Sequence, residues 1–332
     1  MSTVPPPGPR PDDSPDDRSV PVSEELFATV APGIELCYQT YGDPGGEPLL
    51  LVMGLGGPMT WWPPELCEQL ARAGFHVVRY DNRDTGRSSR VRGRVHRAQL
   101  VRAFLGRPVG SKPYAMSDLG SDAVGLMDHL GFDAAHVVGV SMGGMIAQTV
   151  AVEHPSRTLS LTSLSSTLGR RTVGWQSPVL LPQLIARKAG SREAYVAGSE
   201  RMWQLIGSPD FPTDEAERRA RAEETYDRGI SPSGVLRQML AILTQPDRSR
   251  QLRTLDVPAA VLHGSADKMV HVSGGRATAR AIPGAELVLV EGMGHDLPEQ
   301  LYGTIVDLVR RTADRAGAAR PAEQTDSSTV SR

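Results

Sequence analysis

Short apolar runs alternate with longer amphipathic ones through most of this chain. The short runs fall at residues 48–52, 76–80, 135–140, 159–164, 259–263 and 287–290 and are rich in Val and Leu. Nearly continuous apolar runs of this length predict strands covered on both faces, the pattern of a parallel sheet with helices on either side. Ahead of them, residues 26–30 and 35–39 flank Ala31-Pro32-Gly33 and predict an antiparallel hairpin. The expected sheet is therefore mixed, with a meander at its first edge. From Gly169 to about Thr244 the alternation stops, and the sequence becomes helical, charged and dotted with aromatics, as in Glu200-Arg201-Met202-Trp203. Strand-like runs resume at Ala259, so this block reads as an insertion over the sheet.

The ends differ in kind. Residues 1–20 and 314–332 hold almost no large apolar side chains and cannot offset the entropy of ordering, which predicts disordered tails. The expected organisation is a tail over 1–20, a first core segment over 21–168, a helical cap over 169–245, a second core segment over 246–313 and a tail over 314–332.

Composition narrows the function. With 332 residues, 39% of them hydrophobic, the chain is long enough for a large core. Its 36 basic and 38 acidic side chains leave a net charge of -2, which provides no field for drawing in nucleic acid or an anionic membrane. The two cysteines, Cys37 and Cys67, belong to no C-x-x-C or Cys/His pattern, so neither a disulfide framework nor a metal site is expected. The N-terminal segment is rich in Pro and Asp, without a basic start and apolar stretch, and no run approaches the ~20 apolar residues of a membrane span. The expectation is a cytoplasmic protein with no nucleic-acid or membrane partner, either monomer or homodimer.

The most specific motif is Gly139-Val140-Ser141-Met142-Gly143-Gly144. It joins the run at 135–140 to a segment carrying Ile146, Ala147, Val150 and Ala151 at helical spacing. Strand, sharp turn and amphipathic helix in this order suit a nucleophile elbow, in which small residues flank a serine where strand and helix crowd together. A glycine-rich turn alone would look the same, so the other strand ends have to decide.

In a parallel sheet, active groups collect where loops leave the C-terminal ends of strands. After 259–263 comes Gly264-Ser265-Ala266-Asp267, and after 287–290 comes Glu291-Gly292-Met293-Gly294-His295. The chain order Ser141, Asp267, His295 is the one an elbow serine requires when its acid and base come from later strands. A serine hydroxyl is a poor nucleophile, imidazole titrates near 6.5 and can take its proton, and a carboxylate can fix the ring's tautomer. Asp256 precedes its strand and belongs to the opposite end of the sheet, while Asp296 is expected to cap the following helix. The loop after 48–52, Met53-Gly54-Leu55-Gly56-Gly57, is glycine-rich and can aim backbone N-H groups at the site. The N-H groups of Leu55 and Met142 are the expected oxyanion hole. No G-x-G-x-x-G and no Lys-Ser/Thr ending accompanies these glycines, so no nucleotide or other cofactor is expected.

With these residues in view, the chain resembles the α/β-hydrolase superfamily over residues 22–312. LLLVMG, VVRYDNRDTGRSS, HVVGVSMGG and GMGHDLP are similar to the actinobacterial esterase group that includes aclacinomycin methylesterases. The resemblance implies an α/β-hydrolase fold, with a mostly parallel eight-stranded sheet, helices on both faces and a helical cap, and it implies carboxylic ester hydrolysis. Met53 departs from the histidine that many members carry before the glycine, which bears on loop support and pocket shape. In similar proteins the Asp81-Asn82-Arg83-Asp84-Thr85-Gly86 loop is structural, with Asp and Arg pairing beneath the site. The expected activity is a cofactor-independent serine hydrolase acting on a small apolar ester-like substrate. The same triad could instead serve a C-C bond, lactone, thioester or peroxy acid, and a non-catalytic ligand receptor is the reading from another class. Trp61, Trp62, Met142, Leu168, Trp175, Trp203, Met239 and Met269 suit an apolar pocket and equally suit plain packing.

Overall fold

The computed structural model describes residues 19–180 and 191–319, so of the tails expected over 1–20 and 314–332, residues 1–18 and 320–332 lie outside the described residues. Eight strands form one sheet: β1 (Leu26–Ala31), β2 (Ile34–Tyr41), β3 (Glu47–Val52), β4 (Phe75–Tyr80), β5 (Ala135–Val140), β6 (Thr158–Leu164), β7 (Ala259–Gly264) and β8 (Glu286–Val290). Each run read from the sequence is a strand. The spatial order is β1-β2-β4-β3-β5-β6-β7-β8, and only the β1/β2 and β2/β4 pairs are antiparallel. Gly33, at φ +74, makes the turn between β1 and β2 in a region that favours glycine.

The helices are α1 (Pro64–Arg72), α2 (Arg97–Phe104), α3 (Met116–Leu130), α4 (Met142–Glu153), α5 (Arg192–Ile206), α6 (Glu215–Gly229), α7 (Pro232–Leu243), α8 (Ser249–Leu252), α9 (Ser273–Ala281) and α10 (Tyr302–Ala319). Side chains alternate across each strand, and β3 shows what that does. Leu50 and Val52 join one core with Leu119, Met127 and Ile146 of α3 and α4, while Leu49 and Leu51 join another with Leu66, Leu70, Ile305 and Leu308 of α1 and α10. Both faces are apolar, and so the run is continuous. The amphipathic pattern read after Ser141 understates α4, where Met142 through Ala151 are all buried because β5 and β6 lie against it on one side and α3 on the other.

The last helix corrects the expected tail boundary at 314. α10 continues to Ala319, with Ala313 buried and Arg315 donating to the carbonyls of Ala259 at 2.7 Å and Gly284 at 3.1 Å. Guanidinium-to-backbone bonds hold this turn, and an apolar pattern does not report them. No helix among the described residues is long and apolar enough to cross a membrane.

Helices α5, α6 and α7 lie between β6 and β7, and α6 and α7 are tied to the loop after β4 by ion pairs. Arg237 of α7 makes a two-pronged bond to Asp84 at 2.8 and 2.6 Å, and Tyr114 adds a third bond to the same carboxylate at 2.8 Å. Arg228 of α6 bonds Asp81 at 2.8 Å and Glu25 at 2.5 Å. Asp and Arg of the 81–86 loop are thus paired with partners from outside it: Arg83 with Asp122, and the two aspartates with arginines of the cap. Side chains of Arg237 and Asp84 are 5% and 0% exposed, so removing one partner strands a buried charge. Arg237→Ala is expected to lower unfolding free energy by about 3–5 kcal/mol, read by urea denaturation. Arg237→Lys should recover only part of that, since a lysine cannot make the two-pronged bond.

Candidate active site

The register of the sheet sets β3, β5, β7 and β8 to end at one edge of the molecule. Val52 pairs with Gly139, Val140 with Leu164, Leu164 with Leu262, and Gly264 with Val290. The loops carrying Leu55, Ser141, Asp267 and His295 therefore leave from the same side.

Ser141 sits at the elbow with φ 58 and ψ -120, a sparsely populated conformation for a residue other than glycine. The turn is tight enough to exclude side chains around it. A Cβ on Gly139 would lie 2.1 Å from Gly143 O, and one on Gly143 would lie 1.9 Å from Val52 O. The serine is pinned by its own backbone: its N-H donates to Leu164 O at 2.9 Å, and Ser166 Oγ donates to its carbonyl at 2.6 Å.

The structure brings the three expected side chains together. His295 Nε2 lies 3.0 Å from Ser141 Oγ, and His295 Nδ1 lies 2.7 Å from Asp267 Oδ2. A carboxylate can only accept, so Nδ1 carries the proton and Nε2 presents its lone pair to the serine hydroxyl. The histidine loop is anchored from the cap, since His295 N-H donates to Ile206 O of α5 at 2.7 Å. Asp267 is buried, and its Oδ1 accepts from the N-H groups of Met269 and Val270, both at 2.8 Å. Burial alone would raise its carboxyl pKa. Attraction and hydrogen bonds from His295 and His263 outweigh burial and hold it at about 2.

His263 did not stand out in the sequence. It is fully buried on β7, with Nε2 at 2.7 Å from Val270 O and 3.4 Å from Asp267 Oδ2. Its spacing of four residues from Asp267 was the only sequence signal. Asp296 is not the helix cap expected of it. The turn at Glu299–Leu301 is led by Pro298, and Asp296 Oδ1 instead accepts from Ser208 Oγ of the cap at 2.5 Å.

The loop after β3 lies against the serine. A Cβ on Gly54 would stand 3.2 Å from Ser141 Cβ, so glycine keeps the approach open, and Leu55 follows it. Among the described residues, the N-H groups of Leu55 and Met142 donate to no protein acceptor. Met53 is buried, and its carbonyl is held by Asn82 Nδ2 at 3.0 Å. The next N-H, on Gly56, donates at 2.8 Å to Oε1 of Gln238, a fully buried residue of α7 whose amide nitrogen in turn donates to Arg83 O and Thr85 Oγ1, both at 2.9 Å. Gln238 carried no sequence signal, because its partners lie more than 150 residues away.

Of the apolar pocket residues, Trp62, Met142 and Leu168 are buried in the cores, and Trp175 is about half exposed and stacked on His271. Trp61 packs against the loop after β3, where a Cβ on Gly57 would fall 2.5 Å from its ring, and it meets Trp203 edge-on with centroids 5.2 Å apart.

Residues 47–300 match the family model described as alpha/beta hydrolase fold. The chain is 31% identical over 287 residues to the rhodomycin D methylesterase of Streptomyces sp. strain C5, covering 80% of this chain and 90% of that one. It is 30% identical over 285 residues to the rhodomycin D methylesterase of Streptomyces peucetius, with the same coverage. Among solved structures, the enol-lactonase from Burkholderia xenovorans LB400 superposes with a TM-score of 0.68 at 24% identity, over 87% of this chain and 100% of that one. The chain belongs to the α/β-hydrolase family, and is an enzyme of its hydrolase class. Within the family it is similar to actinobacterial methylesterases of the rhodomycin D type.

Proposed function

We propose that the protein is a serine hydrolase that cleaves a carboxylic ester of a small, apolar molecule through an acyl-enzyme. The observation that carries this reading is the continuous chain of contacts from Ser141 Oγ to His295 to Asp267, at 3.0 and 2.7 Å, on a serine elbow. Ser141 Oγ attacks the ester carbonyl while His295 Nε2 takes the hydroxyl proton. The N-H groups of Leu55 and Met142 hold the charge that develops on the carbonyl oxygen, helped by the N-terminal dipole of α4. His295 then protonates the departing alkoxide, and a water, deprotonated by the same nitrogen, releases the acid. Similarity to two rhodomycin D methylesterases supports a methyl ester as the bond cleaved. The expected results are hydrolysis of p-nitrophenyl acetate and butyrate, and labelling of Ser141 by a fluorophosphonate, with slower turnover of thioesters, lactones and vinylogous diketones. A folded protein that neither labels nor turns over any ester overturns the reading.

The cap takes part in this chemistry through Gln238, which fixes the N-H next to the Leu55 donor. Losing an oxyanion donor outright costs about 10²–10³ in kcat. Gln238→Ala leaves the donor present but unsupported, and is expected to lower kcat about tenfold with a smaller change in KM. Gln238→Glu keeps the acceptor for Gly56 N-H and should fall between the two. Steady-state kinetics with p-nitrophenyl butyrate check the order, and a change confined to KM would remove Gln238 from the donor loop's support.

A further inference from the structure

Between the cap and the loops bearing Asp267 and His295 lies a cavity of about 260 Å³ that the ester chemistry does not use. Its lining includes Trp203, Ser208, Arg218, Arg221, Lys268 and Asp296. Three cations thus meet one carboxylate, and that carboxylate is already engaged by Ser208. Among the described residues, none of the three cations forms an ion pair, whereas the more deeply buried Arg83, Arg228 and Arg237 are each matched to an aspartate. Among the described residues, the Nε atoms of Arg218 and Arg221 are both buried without an acceptor, and the Arg218 guanidinium finds one acceptor, Thr213 O. The Arg221 guanidinium lies over the Trp203 ring, 4.7 Å from its centroid. Burial pushes the pKa of Arg221 down, against the pull of Glu217, Asp296 and Tyr302.

Partly withdrawing a guanidinium from water without a counter-ion is costly, and two such groups around one cavity stabilise an anion that enters it. We propose that this cavity is a binding subsite for the carboxylate of a small organic acid. Arg218 and Arg221 present planar donor arrays suited to a carboxylate, Lys268 adds a point charge, and Trp203 supplies an apolar face for the acid's carbon chain. Through Trp203 and Trp61 the subsite adjoins the donor loop at Gly57. The carboxylate therefore has two chemical sources, an acid group at the far end of an ester substrate or a free acid.

Sodium succinate, titrated against sodium chloride at constant ionic strength, tests the subsite in the Ser141→Ala variant, so the outcome does not depend on turnover. Saturable binding is expected by calorimetry and by tryptophan fluorescence. Adding Arg221→Gln or Arg218→Gln should weaken it about tenfold, the loss of one charge-assisted bond. Lys268→Gln alters an exposed side chain that the fold does not need, and should weaken binding about threefold, as expected for an exposed charge. No saturable binding, or an affinity unchanged in all three folded variants, overturns the proposal. A second comparison identifies the source. If the acid belongs to the substrate, Arg221→Gln lowers kcat/KM for p-nitrophenyl hydrogen succinate relative to p-nitrophenyl butyrate by about tenfold. If that ratio holds while succinate binding still weakens, the subsite takes a free acid.

Discussion

Ser141→Ala is expected to lower turnover of a competent ester by about 10⁴-fold or more, at about 1.4 kcal/mol of transition-state stabilisation for each factor of ten. The substitution isolates the chemistry unusually well. Ser141 holds φ 58 and ψ -120, and an alanine there carries the same backbone strain, so the fold is little affected. The pinning bonds from Ser141 N-H to Leu164 and from Ser166 Oγ to the Ser141 carbonyl involve only backbone atoms of residue 141, and they survive. Glycine behaves differently. Relief of the strain should make Ser141→Gly more stable than the parent by about 1 kcal/mol while equally inactive, visible as a raised melting temperature. Retention of parental kcat in Ser141→Ala, with contaminating esterase excluded by active-site titration, would sink the nucleophile assignment.

That strain is a feature the sequence announces, because Gly139 and Gly143 mark where strand and helix leave no room for side chains. The eight strands are legible for a related reason. β4, β5 and β7 are buried along their whole length, so each appears as a short, mostly apolar run without the alternation of a half-exposed strand. Residues such as Asp267 and His295 stand out because each ends a loop that follows such a run. What stayed hidden acts across long distances. Arg228, Arg237 and Gln238 look like ordinary helix residues until the cap folds onto residues 81–86, and only then do their partners exist. Asp296 looks like a helix cap in the sequence because it is a carboxylate ahead of a helix, whereas its true partner, Ser208, is 88 residues away. The ordered turn beyond residue 313 was missed in the same way, since arginine bonds to distant carbonyls hold it.

Asp267→Asn is expected to be nearly as damaging as loss of the serine, for a reason set by the acid's other oxygen. Asp267 Oδ1 accepts from two N-H groups, those of Met269 and Val270. An asparagine must keep its carbonyl oxygen there, because its amide group would clash donor to donor. Its NH₂ then faces His295 Nδ1, which has to present a lone pair, and the ring proton moves to Nε2. Imidazole would meet the Ser141 hydroxyl as a donor and could not take its proton. Wrong-tautomer substitutions of this kind cost about 10⁴ in kcat. The same carboxylate marks the stability curve. Its folded pKa is about 2, below the ordinary aspartate value, so it contributes stability that is fully present above the unfolded value near ~3.9 and is lost as pH falls toward 2. The expected contribution is on the order of 2 kcal/mol, and it should shrink across that window in the parent and not in Asp267→Asn. Urea unfolding of both proteins at pH 5 and near pH 2.5 measures this difference. A stability gap between them that stays constant with pH would mean that Asp267 is not held as a carboxylate by His295 and His263.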